Sequence, residues 1–140
     1  NYVDDSKIAK EIVQSLNEEY KTKVTVNDEY NSLNELRSKL SEYKFVIGTR
    51  LHMCILSIMA GVPAFNISYE VKGKECYKML NLSEYSIDYN ANIDESLSKI
   101  EKFIINNKEL RKICIEKAKI MNEEAEKYFN IMIKEIFDDK

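Results

Sequence analysis

The sequence predicts an α/β fold in which a parallel sheet is flanked by helices. Three observations carry that prediction. Short apolar runs alternate with stretches of helical periodicity, the order from which βαβ units are built. Two of those runs, Phe45-Val46-Ile47 and Ala64 to Ile67, read as strands buried on both faces. Between them, Leu51 to Ala60 is apolar nearly all round and is closed by Gly61 and Pro63, as a buried helix with a glycine cap is.

Each element has its own signal. Asp4, Asp5 and Ser6 offer N-caps to a first helix, whose stripe is Ile8, Ala9, Ile12, Val13 and Leu16. Lys23 to Val26 reads as a short strand with Val24 and Val26 on one side. Ser32 and Glu35 have the spacing of a capping box, and Leu33, Leu36 and Leu40 share a face, which predicts a helix over 33–42. After the strand at 64–67, a shorter helix over 71–80 stops near Asn81, and Ser86-Ile87 is a last short strand. A helix striped by Ile93, Leu97, Ile100 and Ile104 is interrupted at Asn106-Asn107. A long amphipathic segment then carries Leu110, Ile113, Ala118, Met121, Ala125, Phe129, Met132 and Ile136. With no repeat or linker in it, the stretch 1–140 is read as one domain.

Composition narrows the function. At 44% apolar residues the chain can build a core, and a net charge of −3 argues against a nucleic-acid binder. Cys54, Cys76 and Cys114 are widely spaced, so no zinc ribbon or thioredoxin motif is encoded. Their odd number does not suit a secreted disulfide framework and points to a reducing, cytoplasmic setting. One histidine and no paired Asp/Glu motif leave no metal-ligand set. No apolar run approaches the roughly 20 residues that span a bilayer. The chain starts at Asn1 rather than Met and is read as a piece of a longer protein.

Gly48-Thr49-Arg50-Leu51-His52 stands where a buried strand ends and a buried helix begins. Ligands bind at the carboxyl ends of strands in open parallel sheets, and the first turn of the next helix presents N–H groups that favour an anion. Gly48 permits close backbone approach or a tight turn, and the Thr49 hydroxyl can cap the helix. Arg50 can grip a carboxylate or phosphate through two parallel hydrogen bonds. His52, the sole histidine, can exchange a proton. The same residues admit structural roles: Arg50 in an ion pair with Glu35 or Glu70, His52 as a cap, Gly48 as a plain turn.

Residues 45–52, followed by Ala60-Gly61-Val62-Pro63 and by Ile67-Ser68-Tyr69 with Lys72, resemble the polysaccharide pyruvyl transferase family. Its C-terminal half carries G-x-R-L-H, an A-G-x-P turn, and a downstream Tyr and Lys. The resemblance implies a Rossmann-like C-terminal lobe of a two-lobed transferase similar to the GT-B glycosyltransferases. It implies transfer of pyruvate, as a ketal, from phosphoenolpyruvate to a sugar of a cell-surface polysaccharide or its precursor, with no cofactor. Arg50 and His52 would be catalytic, and Gly48, Thr49, Leu51, Tyr69 and Lys72 would bind substrate. The partners implied are phosphoenolpyruvate, a sugar acceptor and the missing N-terminal lobe, without which this chain would be inactive. The enzyme would be free in the cytoplasm or at the inner face of the membrane.

Glu70-Val71-Lys72-Gly73-Lys74 departs from the Pro-containing stretch usual before the family's Lys, so the match at Lys72 rests on the lysine alone. Two other readings stand beside the family's: the donor lobe of a nucleotide-sugar glycosyltransferase, and a non-catalytic interaction domain whose long last helix meets a partner lobe or a second copy.

Overall fold

The computed structural model describes residues 5–29 and 31–137 and divides into two compact units between Ser32 and Leu33. Asp4, one of the cap candidates, lies outside the described residues.

The first unit holds helix α1 (Asp5–Ser15) and the single turn α2 (Glu18–Lys21). Val13 and Leu16 of the expected stripe are half-buried, whereas Ile8 and Ile12 are exposed. The strand expected at Lys23 to Val26 does not form. The Lys23 and Val24 N–H groups instead donate to the carbonyls of Tyr20 and Lys21, prolonging the turn, and residues 24–29 run irregularly. Two alternating valines are too weak a pattern to hold a strand without a ladder partner. Lys10 pairs with Asp28 at 2.7 Å within this unit.

The second unit contains α3 (Leu33–Glu42), β1 (Val46–Gly48), α4 (Leu51–Met59), β2 (Ala64–Ser68), α5 (Val71–Met79), a 3-10 turn at Ser83–Tyr85, β3 (Ser86–Asp88) and α6 (Ile93–Phe137). The sheet is parallel, in the order β1-β2-β3, and its register sets Gly48, Asn66 and Ser86 side by side across the three strands. The α/β class is therefore as the sequence predicts, with helices against the sheet.

Two helix ends explain why the strands begin where they do. Gly61, at φ +74°, sends its N–H to Ile58 O, and Val62 N–H reaches Ser57 O. Asn81, at φ +53°, repeats the pattern after α5, with its own N–H on Lys78 O and that of Leu82 on Tyr77 O. In both, a residue in the left-handed region turns the chain back and satisfies the last carbonyls.

Two apolar clusters hold the unit. Cys54, Ile58, Ala64, Tyr77, Leu82 and Cys114 form one; Phe65, Ile87, Phe103 and Leu110 form the other. Phe103 lies 5.4–5.8 Å from the rings of Phe45, Phe65 and Tyr85, within the range of favourable aromatic pairs. The Tyr77 hydroxyl donates to Ala64 O at 2.9 Å, tying α5 to the strand that precedes it.

Three expectations need correction. β1 is not buried on both faces, because it is an edge strand and Ile47 is 41% exposed; β2, at the centre, is the covered strand. Asn106-Asn107 does not interrupt the last helix, which runs as one piece of 45 residues. Asn is only a modest helix former, yet it costs far less than Gly or Pro inside a helix, and the Asn107 amide donates to Ile104 O one turn back. The buried line of α6 is Phe103, Leu110, Cys114 and Ala118, while Ile93, Leu97, Ile104 and Ile113 stay exposed.

Candidate functional site

A cavity of about 270 Å³ opens at the carboxyl ends of β1 and β2. Its walls come from two strand–helix junctions. Thr49, Arg50, Leu51 and His52 line it from the turn between β1 and α4; Asn66, Ser68, Tyr69, Glu70, Lys72 and Gly73 line it from β2 and α5. Of the seven residues singled out in the sequence, all but Gly48 line this one space.

On the first wall, Arg50 holds the N-cap position of α4 in an extended conformation. Thr49 precedes that position, so the expected Thr49 cap is not formed; no side chain caps the helix, and Arg50 O accepts from the N–H groups of Met53 and Cys54. The N–H groups that remain at the start of the helix, those of Leu51 and His52, are not taken by a capping side chain. Arg50 and His52 are both exposed and both reach the cavity, so the guanidinium and the imidazole share one opening. Apolar Leu51, Met53 and Leu56 line the floor.

Gly48 has a packing role. Its φ is not positive, and it does not line the cavity. A Cβ on it would stand 2.8 Å from the sulfur of Cys54, so a glycine is what lets α4 settle against β1. Burial pushes the Cys54 thiol above its ordinary range, which marks it as packing rather than as a nucleophile.

On the second wall, Lys72 and Glu70 form an ion pair at 2.5 Å, and the hydrogen bond that the Lys72 ammonium donates to Glu70 holds it above its ordinary range. Both are exposed, so this is a rim pair. Tyr69, 53% exposed, stands on the same rim. The Ser68 hydroxyl donates to Glu70 O, and Asn66 Nδ2 donates to Ser86 Oγ at 3.3 Å. Gly73 is buried between them: a Cβ there would lie 2.3 Å from Ser68 Oγ and 2.8 Å from Asn66 Nδ2. Sequence reasoning passed over Asn66, Ser68 and Gly73. The available signal was polar residues at alternate positions of a strand otherwise apolar.

The arrangement can bind a small anion on the α4 side, where guanidinium, imidazole and helix N-terminus converge, and can offer oxygen acceptors on the α5 side. No helix among the described residues is long and apolar enough to cross a membrane.

Comparison with known proteins gives this geometry a context. Residues 1–71 match the model of the family described as polysaccharide pyruvyl transferase. The chain is 38% identical over 86 residues to the amylovoran biosynthesis protein AmsJ of Erwinia amylovora, a stretch that covers 61% of this chain and 20% of that protein. The chain therefore spans about a fifth of the length of that relative. No solved structure matches the chain.

Proposed function

Because this chain belongs to the polysaccharide pyruvyl transferase family, we propose that it is the Rossmann-like C-terminal lobe of a GT-B-like, two-lobed enzyme that transfers pyruvate from phosphoenolpyruvate to a sugar. The observation that supports this reading best is the common opening of Arg50 and His52 at the uncapped start of α4. The relative named for amylovoran biosynthesis supports assembly of a polysaccharide or its precursor as the setting.

The chemistry fits these residues. In ketal formation two sugar hydroxyls form C–O bonds to C2 of phosphoenolpyruvate, and the bond from C2 to the phosphate oxygen breaks. Of the two hydroxyl protons, one ends on the methylene carbon, which becomes a methyl group, and the other leaves with phosphate. Arg50 and the first-turn amides of α4, with Thr49 beside them, hold the carboxylate or the phosphate. His52 is the acid–base group for one of the proton transfers. Lys72 adds positive charge at the rim, and Tyr69 offers its ring to a sugar face. The reaction needs no cofactor. On this reading the enzyme works in the cytoplasm or at the inner face of the membrane. The 140 residues alone bind the donor without turning it over, because the N-terminal lobe supplies the other side of the cleft.

Phosphate release from phosphoenolpyruvate by the intact two-lobed protein, with its acceptor glycan, tests the proposal. Arg50→Ala should raise the KM for phosphoenolpyruvate about tenfold or more, as loss of a charge-assisted contact does. His52→Ala should lower kcat by roughly 10²–10⁴. If both variants keep wild-type kinetics, the interaction-domain reading replaces this one.

A further inference from the structure

Four tyrosines lie between residues 69 and 89, and they are used in two ways. Tyr77 is buried with its hydroxyl on Ala64 O, and the ring of Tyr85 packs 5.8 Å from that of Phe103. Tyr69 and Tyr89 are 53% and 62% exposed. Among the described residues, neither packs on another ring and neither hydroxyl is hydrogen-bonded.

Both stand at the carboxyl edge of the sheet, where the cavity opens. Tyr69 follows the last residue of β2 and lines the cavity; Tyr89 follows the last residue of β3 and does not line it. The register sets Ser68 beside Asp88, and the Tyr89 N–H continues that ladder by donating to Ser68 O at 3.0 Å. The two rings are therefore mounted on neighbouring strand ends, about 4.8 Å apart at the backbone. The turn under Tyr89 is fixed as well, since the Asn90 and Ala91 N–H groups donate to Oδ1 and O of Asp88. A tyrosine on a fixed backbone loses little freedom when its ring is covered, because only two torsions are stilled.

The C–H face of a pyranose stacks on an aromatic ring, and its hydroxyls need hydrogen-bonding groups around that ring. Beside Tyr89 these are the Asp88 carboxylate, in an exposed ion pair with Lys74, and the amide of Asn90. A nucleobase would stack too, but the adjoining carboxylate and a net charge of −3 disfavour its phosphates. Along the edge the order is Arg50 beyond β1, Tyr69 beyond β2 and Tyr89 beyond β3, a step of one strand each time. That step is close to the length of one sugar unit in an extended glycan.

We infer that Tyr89 binds the acceptor, its ring stacking on the sugar next to the one that receives pyruvate, so that the glycan crosses the strand ends from Tyr69 to Tyr89 and recognition extends to at least a disaccharide. This rests on the pyruvyl-transfer reading above and adds to it a second sugar subsite on this lobe.

NMR titration of this chain tests the inference, with and without phosphoenolpyruvate present. The probes are methyl β-maltoside, methyl β-cellobioside and methyl β-lactoside, each against methyl β-D-glucopyranoside and methyl β-D-galactopyranoside. At least one disaccharide should bind more tightly than either monosaccharide. Tyr89→Ala should weaken that disaccharide about five- to tenfold, the worth of one aromatic stacking contact, while leaving phosphoenolpyruvate and monosaccharide affinities within about twofold. Its Tm should stay within about 2 °C of wild type, as for an exposed side chain. Tyr89→Phe, which keeps the ring, should retain the disaccharide. The inference is overturned if no disaccharide binds better than the monosaccharides, if Tyr89→Ala leaves its affinity unchanged or weakens phosphoenolpyruvate equally, or if Tyr89→Phe loses as much as Tyr89→Ala. Failure of the wild type to bind phosphoenolpyruvate would instead bring down the functional reading, and the titrations without it still decide the subsite.

Discussion

The two strand–helix junctions that face each other across the cavity are built alike and equipped differently. Both end a parallel strand, both start a nine-residue helix without a side-chain cap, and both depend on a glycine that could not take a Cβ in place. At the first, Gly48 yields to a cysteine sulfur, α4 lies on the sheet by apolar packing, and the turn presents cationic and N–H donors. At the second, Gly73 yields to the polar atoms of Ser68 and Asn66, α5 is tied down by the Tyr77 hydroxyl, and the wall presents the Glu70–Lys72 ion pair. The same backbone device thus serves two chemistries, and side chains on neighbouring strands decide which.

Substitutions can break this pairing. The largest effect is expected at Gly73→Ala, where the new methyl meets Ser68 Oγ and Asn66 Nδ2; denaturant unfolding should show a loss of about 3 kcal/mol, at the upper end for overpacking. Gly48→Ala should cost less, about 1–2 kcal/mol, because its methyl meets one thiol. Here a double-mutant cycle sharpens the comparison: Cys54→Ala removes the colliding sulfur, so the pair should be less destabilised than the sum of the two single changes. Equal costs at the two glycines, or plain additivity with Cys54, would show that the junctions do not differ as described.

Tyr77→Phe should cost about 1 kcal/mol by removing the bond to Ala64 O, with no change at the first junction in NMR spectra. The smallest effect is expected at the sheet's far edge. Lys74 and the Asn90 N–H hold the Asp88 carboxyl below its ordinary range. A lowered carboxylate stabilises the fold at pH above its unfolded value, and that contribution is lost as pH falls through the folded one. Tm against pH should therefore show wild type above Asp88→Asn near neutrality, by about 2 °C or less, and the curves converging in acid.

Much of this architecture was legible in the sequence because the signals were local. Gly61 with Pro63, and Asn81, mark helix ends that need a left-handed residue, and the run from Phe45 to His52 announces a strand, a turn and a helix in order. What escaped depends on neighbours. Ile47 looks like a core residue until β1 proves to be an edge strand. Val24 and Val26 look like a strand until no ladder forms. Asn106 and Asn107 look like a break, but the helix is carried through by Phe103 and Leu110 on its buried face. The first wall of the cavity could be named from one contiguous segment. The second could not, because Asn66 and Gly73 acquire their meaning only when α5 is folded against β2.

The most direct test of the central claim is a titration of the ¹⁵N-labelled chain with phosphoenolpyruvate, read amide by amide. The account predicts saturable shifts concentrated at Thr49, Arg50, Leu51 and His52, with the affinity lowered about tenfold or more by Arg50→Ala without loss of the fold. Shifts scattered over other surfaces, or a nucleotide sugar that perturbs those four amides in preference to phosphoenolpyruvate, would contradict it.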